Sequence, residues 1–224
     1  MDLHDALRTT FAAREYTADP LPDETLFRIL DRARFAPSGG NRQGWHVIVV
    51  RDGRTRQALA DLTVPAARRY AAQQVAGENP WNPVDPTTVD PPTIERTPAP
   101  TRLTEPLFRA AAVLVVCVDL KVVAATDQYL PRVSVVPGAS IYPFVWNILL
   151  SARGEGFGGT ITTLAVSQEP KVRELLGIPG HVAVAAVVPL GRPVKQLTRL
   201  RRKGVAEFTT RERWNGPPLA APGA

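Results

Sequence analysis

Residues 20–52 read PLPDETLFRILDRARFAPSGGNRQGWHVIVVRD, which is a helix, a polar glycine turn and a strand in succession. Asp23 is placed to cap a run in which Leu26, Ile29, Leu30 and Ala33, with Phe27 beside them, recur at helical spacing, and Pro37 ends it. Trp45–Val50 (WHVIVV) is a β-branched run of strand length, bounded by Gly44 and by Asp52-Gly53, and reads as a buried strand. Ala36 to Trp45 (APSGGNRQGW) joins the two. Its paired glycines let the backbone come close to a flat ligand, and Ser38, Asn41 and Gln43 offer donors and acceptors for a heteroaromatic edge or a polyol. The same composition also suits a helix C-cap followed by an ordinary turn.

Outward from this stretch, the chain keeps mixing helix and strand. Asp5 to Ala13 reads as a short helix, and a longer one runs from about Arg54 to Gln74. Pro80 to Pro106 then holds eight prolines in 27 residues, a density that argues against helix and sheet and for a lid, a binding arm or a disordered insert at about 78–107. It also contains Trp81, an amphipathic ring suited to a covered surface. Ala110–Asp119 is an apolar central strand. Gly138 to Arg153 is a strongly apolar helix with Ile141, Phe144, Val145, Ile148, Leu149 and Ala152 at three-and-four spacing. Glu169 to Leu176 is a short helix closed by Gly177, and Val182–Leu190 is another apolar strand. Apolar strands separated by helices predict a sheet covered on both faces.

Composition bounds the function. With 224 residues, 44% hydrophobic and 21% charged, the chain has the makings of a folded soluble domain with a sizeable core. No apolar run approaches the roughly 18 to 20 residues of a membrane span, and the first residues lack the layout of a secretory signal, so the expected compartment is the cytoplasm. One cysteine, Cys117, excludes an intrachain disulfide and reads as a buried inert thiol; with only three His, the composition argues against a metal site. The net charge of +6 is local. Gly191 to Arg213 carries eight basic and two acidic residues, and the other 201 residues carry nineteen of each sign. The excess therefore points to one anion site on a basic C-terminal arm at about 191–224, and its confinement to one short segment argues against the broadly basic surface that tracks a nucleic acid.

Three constellations could carry chemistry besides the APSGGNRQGW turn. Gly154–Thr163 (GEGFGGTITT) offers unhindered backbone N–H groups and three hydroxyls, but its glycines follow a helix, so it is no dinucleotide fingerprint; a C-cap leading into a small-residue strand is the plainer reading. Arg199, Arg201, Arg202 and Lys203 lie close together, as a phosphate site or as a solvated tail. Arg14 is the only cation in its stretch. No catalytic His, Cys or carboxylate pair stands out.

Together these segments resemble the nitroreductase family of flavin enzymes. The resemblance rests on Arg14-Glu15-Tyr16, the 20–52 stretch, GEGFGGTITT, LLGIPGH at 175–181 and VPLGRP at 188–193, in the right order, with A-P-S-x-x-N-x-Q-x-W as the most specific part. It implies an α+β fold with a mixed sheet flanked by helices, in an intertwined homodimer with two FMN sites at the subunit interface. It assigns Ser38, Asn41 and Gln43 to FMN contact, often from the second subunit. Gly159, Thr160, Ile161 and Thr162 would meet flavin N5 and O4, Arg202 with Arg201 the phosphate, and Arg14 the pyrimidine edge, where its charge would stabilise the reduced anion. Where the family usually has Arg-Arg-Ser, this chain has Thr10-Phe11-Ala12, so the N-terminal phosphate contacts are mostly missing. The implied activity is reduction of electron-poor acceptors, such as nitroaromatics or quinones, by NAD(P)H in two half-reactions, with the flavin and no side chain as the catalyst. The same resemblance also admits reductive dehalogenation, ring oxidation, flavin breakdown, or a non-catalytic binder of a flavin or deazaflavin.

Overall fold

A computed structural model describes residues 1–220. Helix α1 (Leu3–Thr9) is capped by Asp2, whose carboxylate accepts from the His4 N–H at 2.6 Å. It stops short of the expected Ala13 because the next residues join the sheet edge: Ala12 bridges Gly159 in parallel, and the Ala13 N–H donates to the Gly159 carbonyl at 2.9 Å. Helix α2 (Asp23–Ala33) begins one residue earlier than its expected cap implies. Pro22 holds the cap position without a side-chain bond, and Asp23, inside the first turn, pairs with Arg51 at 2.6 Å. A carboxylate there still favours the helix, through its dipole.

The four strands, β1 (Trp45–Val50), β2 (Ala112–Asp119), β3 (Gly158–Gly159) and β4 (Val182–Gly191), lie in the order β1-β2-β4-β3. Their pairings are antiparallel, and the Ala12 bridge supplies a parallel element beside β3. β1 has the bounds expected, but it is an edge strand. Only Val50 of its six residues is buried, which corrects the reading of a buried strand; a β-branched run reports strand and not depth. β2 is the central strand, buried from Ala112 to Val118. Its period of two sends Leu114, Val116 and Val118 to one core, with α2 and helix α6 (Tyr142–Gly154), and Val113, Val115 and Cys117 to a second. That second core is shared with α3 (Gly53–Val75), α5 (Thr101–Arg109) and α7 (Glu169–Leu176). Helices thus cover both faces. Burial pushes the Cys117 thiol up to about 11, so it stays protonated and unreactive.

Helix α7 ends where expected, on Gly177 in the left-handed region (φ 65°). The apolar helix expected from Gly138 begins at Tyr142, after a tighter turn over Val136–Ser140. The proline-rich segment departs most from expectation, since it contains two helices, α4 (Pro91–Arg96) and the start of α5. Pro91 and Pro92 occupy the first turn of α4 and Pro100 precedes α5, positions where a missing N–H costs nothing. Pro106 lies inside α5 and is buried. Residues 79–90 are irregular but tied to Glu78. Its carboxylate accepts from the Thr87 hydroxyl (2.6 Å), the Thr88 N–H and hydroxyl (2.7 and 2.8 Å) and Gln73 Nε2 (3.0 Å). Among the described residues, no helix is long and apolar enough to cross a membrane.

Candidate active site

The turn between α2 and β1 is wired to itself. The Gln43 N–H donates to Ser38 Oγ at 3.0 Å, the Asn41 N–H to the Ser38 carbonyl at 2.9 Å, and Gln43 Nε2 to Asn41 Oδ1 at 3.2 Å. Asn41 (φ 53°), Gln43 (φ 50°) and Gly40 (φ 61°) all take left-handed backbone. Two non-glycine residues held there store roughly 1–3 kcal/mol each, strain of the kind that collects at functional sites. Gly39 donates its N–H to Ser140 Oγ at 3.1 Å, which ties the turn to the start of the apolar helix. Ser38, Asn41 and Gln43 are therefore brought together, at the outer end of edge strand β1. Behind it, the Trp45 ring stacks on Phe144 at 4.7 Å.

At the far edge, β3 brings together the other expected residues. Arg14, Thr160, Ile161 and Thr162 line one cavity of about 210 Å³, with Tyr70, Arg102 and Leu103 across from them. Gly159, the residue before this lining, does not reach the cavity wall: it is buried against β4, where a Cβ would collide with the Pro189 carbonyl oxygen and the Leu190 side chain. The Ile161 N–H has no hydrogen-bond partner among the described residues. Arg14 is half-buried and, among the described residues, donates only to the Ala12 carbonyl (3.3 Å) and meets no carboxylate. Tyr16 fixes this corner by donating its hydroxyl to the Ala13 and Pro189 carbonyls at 2.7 and 3.2 Å, and burial raises its phenol well above the ordinary value.

Arg201 and Arg202 lie on an exposed, irregular arm, clear of that cavity. Arg202 shares a surface hollow of about 440 Å³ with Leu7, Arg8 and Arg199. The arm is laid against the end of α1 by Gln196 Nε2, which donates to the Thr9 carbonyl at 3.0 Å. Residues 221–224 of the expected arm fall outside the described residues.

The two halves of the expected flavin site do not meet within one chain. Trp45 pairs with Val118 and Val118 with Ala183, whereas Gly159 pairs with Leu190. Seven residues along β4 and three strand spacings across put the turn and the glycine edge at opposite corners of the sheet, more than about 20 Å apart. Sequence reasoning missed Tyr70, Arg102 and Arg8 as lining residues, whereas Arg199 stood in the basic cluster it singled out. Each of the three missed is an isolated residue on a helix, brought to its cavity only by tertiary packing.

Residues 7–192 match the family model described as "Nitroreductase family". The chain belongs to the nitroreductase family. It is 30% identical over 188 residues to the NADH dehydrogenase of Thermus thermophilus, covering 82% of each protein. Among solved structures, a BluB-like flavoprotein from Clostridium difficile 630 superposes with a TM-score of 0.69 at 19% identity, over 94% of this chain and 98% of that one. NADPH:FMN oxidoreductase from Vibrio harveyi, complexed with NAD+, superposes with a TM-score of 0.60 at 21% identity, over 89% of this chain and 72% of that one. These two share the nitroreductase fold with this chain.

Proposed function

We propose that this nitroreductase-family protein is an FMN-dependent oxidoreductase that takes hydride from NAD(P)H and passes the electrons to an electron-poor acceptor, a nitroaromatic or a quinone. The observation that carries this reading is the cavity at the β3 edge, lined by Arg14, which makes no ion pair among the described residues, and by Ile161, whose backbone N–H has no partner among them. Bound FMN would supply the two-electron chemistry. The chain's own residues hold, orient and tune it. Gly159 lets the β3 edge pack close on β4 and so sets the position of the residues after it, Ile161 offers an N–H, Thr160 and Thr162 add to the wall, and the Arg14 guanidinium would stabilise negative charge gathered on the ring.

Ser38, Asn41 and Gln43 complete the site from a second copy of the chain, which is why they can stand at the opposite corner of the sheet. The phosphate falls to Arg201 and Arg202. Arg8 and Arg199, on the hollow that Arg202 lines, replace the arginines missing at Thr10-Phe11-Ala12. Each arginine–phosphate hydrogen bond is worth about 1.5–3 kcal/mol, so replacing Arg201 and Arg202 with Ala weakens FMN retention at least about tenfold, measured by equilibrium dialysis.

The deciding experiment is an absorption spectrum of the purified protein after incubation with FMN, followed by bleaching with NADH and with NADPH. A retained flavin spectrum that bleaches supports the reading. Protein that is colourless and takes up no FMN overturns it.

A further inference from the structure

The cavity at Arg14 continues outward. A second hollow, of about 460 Å³, lies beside it and shares Tyr70, Thr163 and Leu164 with it; its other walls are mainly Ala66, Pro80, Trp81 and Val166. The result is one cleft, polar and cationic at its inner end and apolar and aromatic at its mouth. Trp81 is built into that mouth. Its backbone is held left-handed (φ 57°), its N–H donates to the buried Gln73 Oε1 at 3.2 Å, and the Arg69 guanidinium lies over its ring at 4.3 Å. Trp81 as a residue is still 41% exposed and lines the second hollow, where it can meet a guest.

The charge along the cleft is one-sided. Among the described residues, no Asp or Glu lines either hollow. Arg102, from α5, faces Thr160–Thr163 and makes no ion pair or side-chain hydrogen bond among the described residues. Its helix neighbour Arg109 shows the alternative, pairing with Glu105 at 2.7 Å. Glu105 is thereby engaged on the outside, and Arg102 is left uncompensated beside Arg14.

We propose that this cleft selects aromatic acceptors that carry an anionic substituent, with Arg102 reading the anion while Trp81 and Tyr70 flank the ring. This rests on the flavin reading above: the flavin takes the Arg14 and Thr160–Thr162 side of the inner cavity, and the acceptor enters from the adjoining apolar hollow with its anion turned toward Arg102. Charge complementarity identifies the guest: a carboxylate or sulfonate offers the acceptor oxygens that a guanidinium lacks a partner for, and a neutral aromatic would leave Arg102 unmatched. Arg102 is a specificity residue and touches no reacting atom.

The test uses a matched pair, 4-nitrobenzoate and 4-nitrobenzamide, with the FMN-loaded full chain. In the wild type, kcat/KM favours the carboxylate, and the preference shrinks as ionic strength rises. In Arg102→Ala the ratio of the two kcat/KM values falls about tenfold, and Arg102→Lys restores part of it. Equal loss for both acceptors, or a loss confined to the KM of the nicotinamide donor, overturns the proposal and gives Arg102 to structure or to the donor. A second readout needs no flavin: 4-nitrobenzoate quenches the tryptophan fluorescence of the unloaded protein, and Trp81→Phe removes the saturable part of that quench. If the protein takes up no FMN but shows the Arg102-dependent quench, the redox reading fails and the anion cleft stands. If the quench is absent or independent of Arg102, the cleft reading fails whatever the flavin result.

Discussion

Gly159 tolerates no side chain. The Cβ of an alanine would meet the Pro189 carbonyl oxygen at 2.4 Å and Leu190 Cδ2 at 2.7 Å, and β4 is too buried to yield. Gly159→Ala should therefore destabilise the protein by about 1–3 kcal/mol, read from urea unfolding, and should displace the β3 edge, which is the edge proposed to meet the flavin. Asp127 is a different kind of fixed point. The Val135 N–H, the Ser134 hydroxyl, Arg132 and the Val136 N–H all donate to its carboxylate, and they hold its pKa far below the usual range. Its contribution to stability is present in full above the unfolded-state pKa of about 4 and is lost as pH falls toward the lower folded value. In Asp127→Asn the melting temperature should drop by a few degrees at pH 7, and the difference from the wild type should narrow below about pH 4; an unchanged gap across that range would rule the assignment out. Some of these roles could be read from the sequence and some could not. Ser38, Asn41 and Gln43 stand in one short motif, so their association was legible. Asp127 was not, because two of its donors are backbone N–H groups that any residue carries.

Elements were legible where a local pattern decides them. Trp45–Val50 and Glu169–Leu176 have the bounds their sequences indicate, since a β-branched run between turn residues and a glycine in the left-handed region are local signals. The α1 terminus was misjudged because residues 10–13 are drawn to the β3 edge, a long-range pairing. The proline-rich segment was misread for another reason. Proline density says nothing of position, and Pro91, Pro92 and Pro100 stand where helices begin. What fixes the irregular part, and with it the aromatic mouth of the cleft, is Glu78. Donors from Thr87, Thr88 and Gln73 bring its carboxyl down to about 2, so the clasp survives through ordinary acid conditions. Glu78→Gln replaces a carboxylate that accepts four hydrogen bonds with an amide that cannot accept them all. Limited proteolysis should then cut within residues 79–90 several-fold faster, with helical content unchanged by circular dichroism. Equal cutting rates would show that the segment holds without its clasp.

At the scale of the whole molecule, the proposed FMN reading accounts together for where the net charge of +6 sits and for the separation of the two groups of candidate residues. The positive excess sits on the arm carrying Arg199, Arg201 and Arg202, and the arm lies against α1 beside Arg8. The glycine edge with Arg14 is also tied to the residues following α1, whereas the Ser38–Gln43 turn stands at the opposite corner of the sheet. On the proposed reading one chain offers two unlike half-sites, and a two-fold dimer would join each half-site of one copy to the complementary half of the other. This arrangement makes a prediction that a monomeric site does not share. Take Asn41→Ala/Gln43→Ala as one inactive variant and Arg14→Ala/Thr162→Ala as a second. In a mixed dimer both lesions fall in one of the two sites, and the other site is entirely native. Random association makes about half of the dimers mixed, each with one intact site, so co-expression should restore about a quarter of the wild-type FMN binding and turnover. Tandem affinity tags on the two variants would isolate the mixed dimer, which should bind half the flavin per chain. If co-expression gives only the sum of the two variants, each chain carries its own complete site, and the division of labour across the interface is wrong.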